Sequence, residues 1–244
     1  PDTVAAWARA QARSFASPPP ASRLRPAARA PKQPVFLHEE RQWNQRVEGA
    51  LEAIREGAAE KIVLARTVRF WAGAGELFDV ANTLRALKRD QPDCDVFAVG
   101  HPDGSVFLGA SPEPLLEMRS ETVRTVALAG TVGRGTGPDE DSRARETLLS
   151  SEKDGREHAL VVDAIVGALQ PVSDRMEVDE DTRVRSLTQV HHLETAIEAH
   201  LEAGVDVFHV LERLHPTPAT CGWPQEASRQ WIAEHEGMDR GWYA

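Results

Sequence analysis

Between residues 96 and 128 the chain strings together four short apolar segments with only turn-length breaks between them. Segments 96–100 and 105–108 flank Pro102-Asp103-Gly104, a hairpin signal in which the glycine can supply the positive φ a tight turn requires. Segments 115–118 and 123–128 continue at the same close spacing. Strands joined this tightly pair antiparallel, because a parallel pair needs a crossover of roughly a dozen residues or more. The helical periodicities lie in separate runs. Trp43, Val47, Ala50, Leu51 and Ile54 recur at three- and four-residue steps and stop at Gly57, and further helices are predicted over 76–90, 139–149, 152–169, 205–214 and 224–236. The β-branched run 61–68 reads as a buried strand, and 184–187 and 192–200 are assigned as strands. Hairpins in one group and helices in others specify an α+β fold rather than a doubly wound parallel sheet.

The formal net charge is −10, so the chain lacks the broad positive field that draws proteins to nucleic acid or anionic membrane. With 41% apolar and 27% charged residues it has ordinary globular composition. Its most apolar stretch, 159–169, falls well short of the roughly 20 residues a membrane-spanning helix needs. Two cysteines, Cys94 and Cys221, build neither a disulfide framework nor a four-thiolate metal site. Without a secretory apolar segment near the start, the expected compartment is a reducing cytoplasm and the expected state a monomer. Residues 1–37 are rich in Ala, Arg and Pro and read as a linker or the remnant of an N-terminal region, leaving 38–244 as the catalytic domain. An Arg-rich, acid-poor start also suits a transit peptide, but the chain begins at Pro1 rather than Met.

Several residue groups bear chemistry, each with a plainer alternative. The glycine-rich run from Gly130 to Gly137 lacks both phosphate-loop spacings; it is a flexible loop or a cradle whose backbone N–H groups face a carboxylate. Asp154 and Glu157, three apart at a helix start, either complement the helix dipole or offer oxygen ligands to Mg²⁺. Glu113 sits between Pro112 and Pro114, which restrict its backbone; that is a rigid turn, or a carboxyl held to donate a proton at one point. Lys61 heads the apolar run 61–68 and either reaches solvent or is desolvated into a base. The histidines, including the adjacent His191 and His192, form no zinc spacing.

Taken in order, Lys61-Ile-Val-Leu-Ala-Arg66, Phe107-Leu-Gly-Ala-Ser-Pro-Glu113, Leu128-Ala-Gly-Thr131 with Arg134-Gly135, Ser151-Glu-Lys-Asp-Gly-Arg-Glu-His158, His192-Leu193, Leu214-His-Pro-Thr-Pro-Ala219 and Arg240-Gly-Trp-Tyr243 resemble the chorismate-utilising enzymes: isochorismate, salicylate, anthranilate and aminodeoxychorismate synthases. The resemblance implies their fold of stacked antiparallel β-sheets flanked by helices, with chorismate as substrate. It implies Lys61 as the base that activates water for attack at C2, Glu113 as the acid to the departing C4 hydroxyl, and Mg²⁺ held by Glu157 with Asp154 one layer behind. Gly130, Thr131 and His192 would contact the substrate and Ala219 would shape the pocket beside its ring. Ala129 matches the position of a nucleophilic lysine in aminodeoxychorismate synthases, which speaks against a covalent adduct. Lys61, which the ammonia-using anthranilate branch lacks, implies water as nucleophile, and Leu214-His-Pro-Thr-Pro-Ala219 resembles the isochorismate version of its motif. Val132-Gly133 and Thr220-Cys221 depart from the family pattern, which keeps the salicylate branch open. In the family the chain continues past Arg-Gly-Trp-Tyr to a second Mg²⁺ glutamate and a substrate-binding arginine. The resemblance therefore implies an incomplete domain, either part of an active enzyme or an inactive chorismate-binding paralogue. Which path a product would feed, menaquinone, a catechol siderophore or salicylate, depends on neighbouring enzymes.

Overall fold

The computed structural model of the chain describes residues 35–36, 40–72 and 77–243. It opens with β1 (Val35–Phe36) and α1 (Glu40–Arg55), which ends at Gly57 with φ +80°, the left-handed conformation that closes a helix cheaply only at glycine. Then come β2 (Lys61–Ile62), β3 (Val68–Arg69) and α2 (Val80–Asp90), the last begun by Asp79, whose carboxylate accepts from the Asn82 amide at 2.9 Å. The hairpin of β4 (Asp95–Gly100) and β5 (Val106–Ser111) turns through Gly104 at φ +87°. Next are β6 (Glu117–Arg119), β7 (Thr122–Gly133), α3 (Pro138–Ser150) and α4 (Glu152–Leu169). The chain finishes with β8 (Ser173–Val178), β9 (Arg183–Ser186), β10 (Val190–Leu201), α5 (Val207–Leu214), β11 (Gly222–Trp223) and α6 (Gln225–His235). Among the described residues no helix is long and apolar enough to cross a membrane.

Among the described residues every strand pairing is antiparallel, and between β4 and β5 and between β6 and β7 the tight spacing requires it. The main sheet runs β6-β7-β10-β8, with β9 pairing β10 as well. Its centre is the long ladder of β7 with β10, from Val190 opposite Gly133 to His200 opposite Thr122. Along β10 the residues Leu193, Thr195, Ile197, Ala199 and Leu201 are buried in alternation, the period that puts every second side chain on one face. Helix α4 lies on that face. Val161, Ile165 and Leu169, spaced by four, form its buried stripe and join Val123, Ala127, Ala129, Ile197 and Leu201 in one core. The ladder slips at His192/Leu193, where Gly130 at φ +71° is the extra residue of a β-bulge.

Several sequence expectations are corrected. The run 61–68 is not a continuous strand: only Lys61–Ile62 and Val68–Arg69 pair, with different partners. Between them the Val63 amide donates to the Cys221 carbonyl at 2.8 Å and the Ala65 amide to the Glu236 carboxylate at 2.6 Å, so partners far along the sequence replace the ladder. The strand Ser173–Val178 went unforeseen because Asp174, Arg175 and Glu177 dilute its apolar pattern. The helix predicted over 76–90 begins at Val80, after its Asp79 cap; residues 73–76 lie outside the described residues. Of the linker read over 1–37, only Val35–Phe36 is described, and it pairs with β3; the rest lies outside the described residues.

Candidate active site

The stripe on α4 aims the candidate carboxylate. Glu157 stands one turn before Val161 on the same face, so it follows the buried residues towards the sheet until α4 reaches the bulge. The next residue, His158, is buried and anchors that turn: its Nε2 lies 2.8 Å from Thr195 Oγ1 on β10, and burial pushes its pKa down, favouring the neutral ring. Serine 151 caps the helix, its hydroxyl accepting from the Asp154 amide at 3.2 Å.

Lys61 arrives from the opposite side. β2 pairs with β11, setting Lys61 opposite Trp223, and the Ser228 hydroxyl donates to the Lys61 carbonyl at 2.8 Å. The side chain, 15% exposed, reaches Glu157, with Nζ 2.9 Å from Oε1. Glu113 enters from the end of β5. Ser111 Oγ accepts from its amide and donates to its carbonyl, both at 3.2 Å, fixing the turn between the two prolines. Its carboxyl is largely buried, and burial raises its pKa from 4.5 to about 6, partly opposed by the positive charge of Lys61.

The bulge supplies the third wall. At Gly130 the positive φ turns the backbone, and the carbonyl accepts from His192 Nδ1 at 3.2 Å. Thr131 Oγ1 lies 2.9 Å from the same nitrogen. A carbonyl only accepts, so the bond to Gly130 puts the proton on Nδ1 and leaves Nε2 able to accept. A Cβ at Gly130 would sit 3.0 Å from the Asp154 Cβ, so glycine is required here by both conformation and space.

These segments enclose a cavity of about 200 Å³ lined by Lys61, Pro112, Glu113, Leu128, Ala129, Gly130, Thr131, Glu157, His192 and Ala219. Drug-sized ligands take roughly 300–1,000 Å³, so a space of this size suits a compact single ring. Lys61, Glu113, Gly130, Thr131, Glu157, His192 and Ala219, singled out in the sequence, thus meet at one place. Asp154 does not line the cavity: its carboxylate accepts from the Ser151 hydroxyl behind Gly130. The rest of the glycine-rich run turns away too. Arg134 and the Gly135 amide hold the carboxylate of Asp141, at 2.6 Å from Arg134 Nε and 3.1 Å from the amide, and the hydrogen bond from Arg134 keeps Asp141 down at about 2. The carboxylate cradled there belongs to the protein itself.

The oxygen donors at the cavity are hard ligands of the kind Mg²⁺ takes, and Mg²⁺ is ordinarily held by one or two carboxylates with substrate oxygens and water completing its shell. Glu157 fits as one such carboxylate. Among the described residues no group of three His, Cys, Asp or Glu could hold a metal on its own.

Comparison with known proteins supplies a family. A model for chorismate binding enzymes matches residues 3–244. The chain belongs to the chorismate binding enzyme family. It is similar to the salicylate biosynthesis isochorismate synthase of Pseudomonas aeruginosa, 42% identical over 230 residues, covering 91% of this chain and 48% of that one. It is 36% identical to the isochorismate synthase MenF of Bacillus subtilis over 202 residues, covering 83% of this chain and 42% of that protein. The solved structure of MenF, the menaquinone-specific isochorismate synthase from Escherichia coli, superposes with a TM-score of 0.85 at 32% identity, covering 96% of this chain and 54% of that one. The chain thus spans about half the length of the curated relatives it matches. The chorismate binding enzyme fold accounts for the antiparallel sheet and its helices.

Sequence reasoning missed the buried supports of the site, among them His158, Ser228 and Glu236. Glu236 carried no helical signal: α6 ends at His235 and Gly237 turns the backbone at φ +69°, so its pairing with Arg240 depends on the turn that follows the helix.

Proposed function

We propose that this chain carries the acid–base part of an isochorismate synthase, converting chorismate to isochorismate by attack of water at C2 and loss of the C4 hydroxyl. The observation that carries the reading is the meeting of Lys61, Glu113 and Glu157 at one small cavity, with Glu113 raised to about 6. A carboxyl with a raised pKa and a lysine in a different environment can divide acid and base roles between them.

In this mechanism Lys61 takes a proton from the attacking water. A base must be neutral, so the Lys61–Glu157 ion pair has to part before that transfer. Glu113 donates its proton to the departing C4 oxygen, which leaves as water. After each turnover Lys61 carries a proton and Glu113 has lost one, so both exchange with solvent before the next cycle. His192 Nε2 accepts from a substrate hydroxyl, Gly130 and Thr131 bound the carboxylate, and Ala219 keeps the wall beside the ring small. Glu157 would hold Mg²⁺, which neutralises the ring carboxylate when bound. Asp154, bonded to Ser151, would steady the turn that carries Glu157. Cytoplasmic residence and a monomeric state belong to the same reading, supported by the acidic charge and the free thiols of Cys94 and Cys221.

Incubation with chorismate and Mg²⁺, followed by chromatography, tests this. Isochorismate supports the proposal. Salicylate with pyruvate would assign the salicylate branch, and unchanged chorismate would mark the chain as a binding module without turnover.

A further inference from the structure

The feature that the mechanism does not use is a buried ion pair behind the base. Glu236, at the end of α6, is fully buried, and Arg240 is nearly so, with 13% of its side chain exposed. Arg240 Nε donates to one carboxylate oxygen of Glu236 and Nη2 to the other, both at 2.6 Å. The same guanidinium reaches two backbone carbonyls: Val63 from Nη2 at 2.7 Å and Thr220 from Nη1 at 2.9 Å. Glu236 in turn accepts from the Ala65 amide at 2.6 Å. Val63 lies two residues from Lys61, and Thr220 adjoins Ala219. The segments bearing the base and the ring wall are therefore clamped to one another through a single planar group. Space reinforces the clamp, because Gly222, opposite Ile62, has φ +139° and a Cβ there would fall 2.1 Å from the Lys61 carbonyl.

We propose that Glu236 and Arg240 are positioning residues, which set the distance between Lys61 and the Ala219 wall without touching the substrate. The assignment rests on the proposed isochorismate synthase reading for its kinetic consequence, and on geometry alone for its structural one. Stability is a weak reason for such a pair, since well-packed apolar residues often serve as well. What apolar residues cannot do is join two carbonyls and a carboxylate through one rigid fork, and lysine, a point charge on a flexible stem, cannot either.

Arg240→Lys keeps the charge and removes the fork. Steady-state kinetics on chorismate, together with the ¹³Cε signal of Lys61, reads the result; the chain has only four lysines, and the peak lost in Lys61→Ala assigns it. The expected outcome is a fall in kcat of about 10- to 100-fold, the scale of a displacement near 1 Å, with KM within about twofold and the Lys61 signal moved while those of Lys88 and Lys153 stay. If Arg240→Lys does not fold, the isosteric Glu236→Gln is read the same way. Wild-type kcat with an unmoved Lys61 signal would overturn the assignment, as would a loss of kcat that follows only a lowered melting temperature. Should the wild-type chain turn over no chorismate, the functional reading fails, and the Lys61 signal still decides the positioning role.

Discussion

Glu113→Gln removes the proposed acid while leaving the shape of the cavity. The carboxyl ordinarily titrates at 4.5 and burial lifts it to about 6. At pH 7 a group with a pKa near 6 is protonated about one time in eleven, against about one in 300 at 4.5, so burial raises the competent population about 30-fold, or about 2 kcal/mol. Because Glu113 must be protonated while the ion-paired Lys61 must give up its proton, the loss of acid above about 6 offsets the gain of base, and the rise of kcat/KM with pH is expected to level off near 6. Glu113→Gln should lose that break and about 10²–10⁴ in rate. The same shift bears on stability, with a definite sign. A folded pKa above the unfolded one stabilises fully below 4.5 and is lost as pH rises through about 6. Urea unfolding at pH 8 should therefore find Glu113→Gln more stable than wild type by about 2 kcal/mol, with the gap closing towards pH 4.5. A kcat/KM profile without a break between pH 5.5 and 7, or a glutamine variant at wild-type rate, would refute the acid assignment.

Other outcomes follow from the same geometry. Gly130→Ala meets both a φ of +71° and the Asp154 side chain at 3.0 Å; it should cost about 1–3 kcal/mol in denaturant unfolding and disturb the His192 ring signals. Glu236→Ala leaves the Arg240 charge buried without its partner and should destabilise by about 3–5 kcal/mol, read from urea midpoints. Glu157→Gln should abolish any activation by Mg²⁺ in a metal titration, and an unchanged metal dependence would remove Glu157 from that role.

Much of this arrangement was legible because it is local. The stripe of Val161, Ile165 and Leu169 gave α4 its face, and with it the direction of Glu157. The turn at Gly104 gave the β4–β5 hairpin. What stayed hidden depends on distant partners. The β-branched run after Lys61 fits a strand, yet its backbone is completed by Cys221, Glu236 and Arg240, which no periodicity at 61–68 can reveal. The glycine-rich run looked uniform but divides in two: Gly130 makes the bulge at the cavity, while Gly135 packs against α3, where a Cβ would meet the Asp141 amide at 2.2 Å. Asp154 and Glu157 were alike in sequence. The cap geometry separates them, giving Asp154 to Ser151 and Glu157 to the cavity and Lys61.

Water attack at C2 is most directly tested by turnover of chorismate in H₂¹⁸O with product mass analysis. Isochorismate two mass units heavier, with the label on its C2 oxygen, is expected from a single turnover. Unlabelled isochorismate would mean that the C4 hydroxyl is carried over intact, and would contradict the roles assigned to Lys61 and Glu113.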